Sequence, residues 1–169
     1  MPVAPEQSDL RVSAIIPTYN RADYLREALS TVFAQSLEPW EIIVVDDGST
    51  DHTQQVIQDA PGPVRYLRQA NRGVAEARNG GLEAARGNLV AWLDSDDLWE
   101  PEFLATVVPL LAQDEAIAGA YTGVTMIDAD GVELSRSVRV ETPEKLYDVL
   151  IRNCFLATPS IVVRKACYE

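Results

Sequence analysis

Apolar, strand-like runs alternate with helical patterns four times between residues 10 and 112. This order predicts an α/β domain with a mostly parallel sheet and helices on both faces. A second observation points the same way: two of the runs end in acidic clusters. Ile42-Ile43-Val44-Val45 leads into Asp46-Asp47-Gly48-Ser49, and Leu89-Val90-Ala91-Trp92 leads into Leu93-Asp94-Ser95-Asp96-Asp97. Acidic strand ends at this spacing predict a ligand crevice at the carboxyl edge of a parallel sheet. Each cluster alone also fits a loop with helix-capping Asp residues; together they favour a site.

The elements follow in order. Val12 to Ile16 reads as a buried strand ending at Pro17. A helix from about Ala22 to Gln35 puts Leu25, Ala28, Leu29, Val32 and Phe33 on one face. Glu41 to Val45 is the second strand. A short helix starts near Asp51, with Ser49, Thr50 and Asp51 as candidate caps. Val64 to Leu67 is a third strand. Gly73 to Arg86 is a helix of small residues, with Gly87 as its expected C′ cap. The fourth strand runs into the second acidic cluster, and Pro101 is expected to open a helix through Leu111. Beyond residue 112 the pattern changes. Ile117 to Ile127 reads as one strand, Asp128 to Gly131 as a turn and Val132 to Val140 as a more polar strand. Pro143 to Ile151 reads as a helix and Pro159 to Val163 as a last short strand.

At 169 residues the chain fits one domain with a sizeable core. Its net charge is −12, from 26 acidic and 14 basic residues, which disfavours nucleic acid as the main partner. An anionic ligand must therefore be held locally, by arginine, backbone NH groups or a metal. Cys154 and Cys167 form no C-x-x-C pair, and His52 is the single histidine, so no zinc constellation is present. Residues 1–9 read as a flexible polar tail without the apolar core of a signal peptide. No run approaches the roughly 18 apolar residues of a membrane span. The expected location is the cytoplasm, with peripheral membrane association left open.

Three clustered carboxylates, Asp94, Asp96 and Asp97, repel one another unless a positive group sits between them. Oxygen ligands suit a hard ion such as Mg²⁺ or Mn²⁺, which often binds through one or two carboxylates and substrate phosphates. The first strand–turn–helix has no Gly-x-Gly-x-x-Gly, which disfavours a dinucleotide-binding domain. Its turn is Pro17-Thr18-Tyr19-Asn20-Arg21, where the Tyr19 ring could stack on a planar base or simply pack on the surface.

Taken together, these segments resemble the inverting family 2 glycosyltransferases of the GT-A fold. The resemblance rests on residues 12–20, on Glu41 to Asp51, on Asn71 to Gly81 and on Leu93 to Pro101. It covers residues 10–112 closely and 113–169 loosely, where Thr158 to Arg164 resembles an acceptor-side strand. It implies a three-layer α/β/α fold and hexosyl transfer from a nucleoside-diphosphate sugar, UDP-sugar first, onto a carbohydrate, lipid-linked or protein acceptor in polysaccharide assembly. Residues 10–112 would form the nucleotide-sugar and metal half, and 113–169 the start of an acceptor half. Asp47 would meet the nucleobase, since a carboxylate accepts the ring NH of uracil, thymine or guanine, which adenine and cytosine lack. Pro17 and Tyr19 would line the base pocket. Asp96 would hold Mn²⁺ or Mg²⁺ with Asp94, which also faces the ribose. Arg78, and less directly Arg72, would add positive charge, and Asp97 would support the metal from behind or cap the next helix.

The resemblance breaks at the catalytic base. The family carries an Asp or Glu beyond the strand that resembles Pro159 to Val163, whereas this sequence reaches only Glu169. The expectation is a C-terminally truncated fold whose base lies beyond Glu169, with a cut edge near Pro159 to Val163 that favours self-association. A non-catalytic nucleotide-binding domain is the main alternative. A receiver-like signalling domain needs an Asp after the third strand, where Leu67-Arg68-Gln69 has none. A nucleotidyltransferase needs an early lysine-rich phosphate loop, whereas Lys145 and Lys165 both come late.

Overall fold

The computed structural model describes residues 10–138 and 156–168. Four strands form a parallel block: β1 (Val12–Thr18), β2 (Glu41–Asp46), β3 (Arg65–Arg68) and β4 (Leu89–Trp92). Between them run helices α1 (Ala22–Phe33), α2 (Thr53–Gln58) and α3 (Val74–Ala84), and α4 (Phe103–Gln113) follows β4. Four further strands are β5 (Gly119–Tyr121), β6 (Val124–Ile127), β7 (Glu133–Ser137) and β8 (Ile161–Arg164). The main sheet has six strands in the order β3-β2-β1-β4-β8-β5, with β8 antiparallel to both neighbours. It is thus mixed, and parallel where the sequence alternates strand with helix.

The layers follow from strand alternation. Ala14 and Ile16 of β1, with Ile42 and Val44 of β2, face α1, α2 and α4 through Leu25, Val32, Val56, Leu104 and Leu111. Ile15, Ile43 and Val45 face the other way, against Ala77 of α3. Strands buried on both faces read as continuous apolar runs, which is why β1 and β2 show no polar alternation. Leu25, Leu104 and Leu111 are fully buried, and truncation of such leucines to alanine costs about 2–5 kcal/mol each.

The chain runs from β1 outward through β2 to β3, then returns to place β4 on the other side of β1. That reversal opens a crevice at the carboxyl ends of β1 and β4, where open α/β sheets bind ligands.

Several expectations change in the structure. The run Ile117 to Ile127 is broken at Thr122–Gly123, so β5 joins the main sheet while β6 pairs with β7. Thr122 N–H donates to Ser160 O at 2.9 Å, which holds the break in place. Gly87 is not a left-handed cap: α3 ends at Ala84, and Ala85 is extended (φ −62°, ψ 133°). Glycine is needed at 87 for space, since a Cβ would lie 2.4 Å from Arg11 O. Pro101 sits in a turn ahead of α4, where its carbonyl accepts Ser36 N–H. The cut edge expected near Pro159 to Val163 does not form. Thr158–Ser160 is a 3₁₀ turn, and β8 is an interior strand with Val162 fully buried, so its backbone is paired on both sides. The expected helix from Pro143 to Ile151, the tail 1–9 and Cys154 lie outside the described residues.

Candidate functional site

Two turns at the carboxyl edge are locked to each other. Asn20 takes a left-handed conformation (φ 51°), its N–H donates to Ser49 Oγ at 2.9 Å, and its Oδ1 accepts Thr50 N–H at 2.8 Å. Asp51 then joins two helix starts. Its carboxylate accepts Ala22 N–H at 3.0 Å and both the N–H and hydroxyl of Thr53. Burial pushes the Asp51 carboxyl up, but these donors and the nearby His52 outweigh it and hold its pKa below the usual value. The sequence offered Asp51 as a cap for one helix; it serves two.

Behind this edge, Asp46 is buried. It accepts Ser49 N–H at 2.7 Å and a very short hydrogen bond from the Tyr66 hydroxyl, with Arg68 Nε 3.7 Å away. Next to it, Asp47 ties β2 to α3. Its Oδ1 accepts Gln69 Nε2 at 2.7 Å and Arg72 N–H at 2.9 Å, and its Oδ2 accepts Gly73 N–H at 2.7 Å. Burial raises the Asp47 pKa, yet the Arg72, Gln69 and Gly73 donors together hold it below the usual carboxylate value. Gly73 has φ 92°, open only to glycine without strain, and a Cβ there would meet no atom within 4 Å. The space beside it belongs to the crevice.

That crevice is a cavity of about 590 Å³. It is lined by Pro17, Thr18, Tyr19 and Arg21 from the first turn, and by Asp47. Asn71, Gly73, Val74, Ala77 and Arg78 at the start of α3 close one side, and Asp94, Ser95 and Asp96 close the other. Of the residues named from sequence, Pro17, Tyr19, Asp47, Arg78, Asp94 and Asp96 converge here. Arg72 and Asp97 do not line the cavity. Arg72 contributes its backbone N–H to Asp47, and Asp97 turns its N–H to Asp94 O at 3.0 Å.

The three clustered carboxylates are not gathered around one point. Asp94 Oδ1 pairs with Arg78 Nη2 at 2.6 Å, and Asp96 Oδ2 pairs very closely with Arg21 Nη1. Asp97 is held above the usual carboxylate pKa by burial first, and then by the negative charges of Asp96 and Asp94. Among the described residues, no three His, Cys, Asp or Glu side chains are grouped to hold a metal. Two carboxylates facing one cavity do fit the two-carboxylate mode in which Mg²⁺ and Mn²⁺ share their remaining ligands with phosphates and water. Two buried polar atoms, Arg78 Nε and Thr18 Oγ1, have no partner among the described residues. Both residues line the cavity, and an unmet buried donor such as Arg78 Nε suits an anionic ligand.

Arg21, Gln69 and Asn71 were given no site role from sequence. Arg21 was legible as the only cation in the first turn. Gln69 carries no sequence signal of its own, and its place follows from β3 pairing beside β2, which brings it level with Asp47; Asn71 was read only as the first residue of the segment Asn71 to Gly81.

The profile of glycosyl transferase family 2 matches residues 13–164. TuaG of Bacillus subtilis, described as a putative teichuronic acid biosynthesis glycosyltransferase, is 36% identical over 158 residues, covering 90% of this chain and 61% of its own. A mannosyltransferase from Pyrobaculum calidifontis, solved with GDP-Man and Mn²⁺, is 26% identical with a TM-score of 0.67, over 96% of this chain and 47% of that one. TarS 1–349 of S. aureus, solved with UDP-GlcNAc, shares the fold at a TM-score of 0.72 and 24% identity, over 93% of this chain and 46% of that one. This chain spans about half the length of the curated relatives it matches. No helix among the described residues is long and apolar enough to cross a membrane. With the family profile spanning most of the chain, and an α/β sheet with an acidic carboxyl edge beneath it, the chain belongs to glycosyl transferase family 2.

Proposed function

We propose that residues 10–112 bind a nucleoside-diphosphate sugar together with Mn²⁺ or Mg²⁺, for inverting glycosyl transfer to a hydroxyl acceptor. Residues 113–169 begin the acceptor side. The observation that carries this reading is the convergence of Tyr19, Asp47, Asp94, Asp96, Arg21 and Arg78 on one cavity. Tyr19 is 47% exposed there, free to stack on a base, and Pro17 sits beside it. Asp47 has three of its roughly four acceptor positions filled. The one that remains, on Oδ2, suits a single ring NH and so favours uracil, thymine or guanine. The GDP-Man held by the Pyrobaculum enzyme is of that class.

Asp96 and Asp94 would hold the metal, and Asp97 would support them from behind. When bound, the ion supplies Lewis-acid stabilisation of the charge on the departing diphosphate. Arg78, braced on Asp94, keeps its buried Nε toward the phosphates; Arg72 acts through the loop before α3, whose backbone Asp47 holds.

No general base is assigned. Every cavity carboxylate already has a partner: three donors on Asp47, Arg78 on Asp94 and Arg21 on Asp96. We place the base in the part of the relatives' length that this chain does not span. The same observation supports a second reading, a domain that holds the nucleotide without transferring sugar.

The test is calorimetry of UDP, GDP and ADP, each with Mn²⁺ and with chelator, on the wild type and Asp96→Ala. The expected result is metal-dependent binding of UDP or GDP, lost in Asp96→Ala, with ADP weaker by roughly tenfold or more. Equal affinity under all conditions would refute the assignment.

A further inference from the structure

Arg21 holds a position that the donor-binding reading leaves unexplained. It lies between Asn20, whose left-handed backbone is fixed by Ser49 and Thr50, and Ala22, whose N–H is fixed by Asp51. Both neighbours are anchored, so the side chain leaves the turn in a set direction, and it reaches Asp96 across the mouth of the cavity. A guanidinium and a divalent cation on one carboxylate repel each other, so an arginine pair that is free to open gives way to the metal.

The two arginine–carboxylate pairs of the cavity differ. Arg78 and Asp94 have side chains 31% and 28% exposed, and Arg78 Nε is buried, so that pair is set into the wall. Arg21 and Asp96 are 47% and 43% exposed. Ion pairs that open to water are weak and exchange readily. Two arginines against three carboxylates leave the cavity one negative charge, and a divalent cation reverses that sign. A displaced Arg21 would then remain at the mouth of a cavity prepared for an anion, with a planar fork that matches phosphate oxygens.

We propose that Arg21 is an exchange residue: it neutralises Asp96 in the empty site, yields Asp96 to the metal, and turns to the diphosphate of the donor. This rests on the reading of Asp96 as a metal ligand. It makes the empty site resist free metal and makes metal and nucleotide binding mutually favourable.

The test measures two affinities on folded protein, with circular dichroism and thermal melting to verify the fold of each variant. Mn²⁺ binding without nucleotide is followed by electron paramagnetic resonance, and UDP or GDP binding at saturating Mn²⁺ by calorimetry. Arg21→Gln is expected to bind Mn²⁺ about threefold to tenfold more tightly, because the competing cation is gone. The same variant is expected to bind the nucleotide about fivefold or more weakly, because the phosphate contact is gone. Arg21→Lys keeps the charge and is expected to lie between wild type and Arg21→Gln on both axes. Opposite signs are the signature. A brace that merely orders the turn would weaken both affinities together, and an idle surface pair would change neither. Either result, or any pattern without opposite signs, overturns the exchange. Asp96→Ala separates this failure from that of the underlying reading. If that variant keeps wild-type Mn²⁺ and nucleotide affinity, Asp96 is no metal ligand and both fall; if it loses them while Arg21→Gln shows no opposed shift, only the exchange falls.

Discussion

Asp47 accepts the backbone N–H of Gly73 at 2.7 Å, and through it the end of β2 holds the first turn of α3 against the cavity. With Arg72 N–H and Gln69 Nε2 on its other oxygen, this buried carboxylate organises one whole wall. Hydrogen bonds to a charged group contribute about 1.5–3 kcal/mol, and their loss on a buried group costs more than for a neutral pair. Asp47→Asn keeps the shape but turns an amide NH₂ against donors, so a loss of about 2–3 kcal/mol in unfolding free energy is expected.

The pH dependence of that loss has a defined sign. Because the donors depress the folded pKa of Asp47, its contribution is complete above the unfolded value and is lost as pH falls through the folded one. The gap between wild type and Asp47→Asn is therefore expected to be flat above about pH 5 and to shrink below about pH 4. Urea denaturation across that range checks it; a constant gap down to pH 3 would contradict the assignment.

The four parallel strands and the three helices between them were legible from local signals, with β1, β2 and β4 as continuous apolar runs and α1 as a one-sided helical pattern. Leu25, Ala28, Leu29 and Val32 of α1 are all buried on one face, at the spacing the sequence shows. The acidic strand ends were legible for the same reason, since each is preceded by a buried run. Pairing across the chain was not. Nothing local in Ile117 to Ile127 tells that Gly119 will pair with Val163 while Val124 pairs with Ser137. Nor does a local signal reveal that Arg21 meets Asp96, 75 positions away, or that Asp47 spends most of its acceptors on the loop before α3. Gly87 misled in a specific way: a glycine after a helix has two uses, conformational freedom and closeness, and the sequence does not separate them.

Neighbouring glycines in α3 provide a contrast. A Cβ at Gly81 would stand 2.4 Å from Ile15 Cγ2 and 3.2 Å from Val45 Cγ2, inside the sheet core. Gly81→Ala is expected to cost about 1–3 kcal/mol through overpacking. At Gly80 a Cβ would meet only Gln69 Oε1, at 3.4 Å, so Gly80→Ala is expected to gain about 0.5–1 kcal/mol from helix propensity. Thermal melts of the two variants should shift in opposite directions; a shared direction would show that α3 does not pack as described.

Tyr66 supports the site from the strand behind it. Its hydroxyl donates to Asp46, and its own ionisation is pushed up to about 12, by burial first and then by the Asp46 carboxylate. Tyr66→Phe leaves an oxygen of a buried carboxylate short of a donor, at an expected cost of about 1–3 kcal/mol. The sign with pH is opposite to that of Asp47. A raised phenol pKa means that the folded state holds its proton longer, so the contribution falls as pH rises from about 10 toward about 12. The difference between wild type and Tyr66→Phe should narrow over that interval, as read from denaturant midpoints.

The last prediction concerns turnover by residues 1–169. Attack of an acceptor hydroxyl on an anomeric carbon requires a group to take the hydroxyl proton, and a positioned base contributes about 10²–10⁴-fold. Asp47 is held by three donors at a depressed pKa and is therefore a weak base. Asp94 and Asp96 are engaged by Arg78 and Arg21, and metal binding would engage them further. Asp97 keeps a raised pKa but lies outside the cavity lining. On the proposed reading the cavity holds a donor without supplying the proton acceptor, so the protein is expected to bind nucleotide while transferring sugar at least about 10²-fold more slowly than its longer relatives. A product-release assay with several UDP- and GDP-sugars and a generic acceptor measures this, beside a longer family member such as TuaG. Brisk, Asp97-independent transfer by residues 1–169 would place the base among side chains of this chain outside the cavity, and Asp128 and Asp130 in the turn between β6 and β7 would be the first to replace.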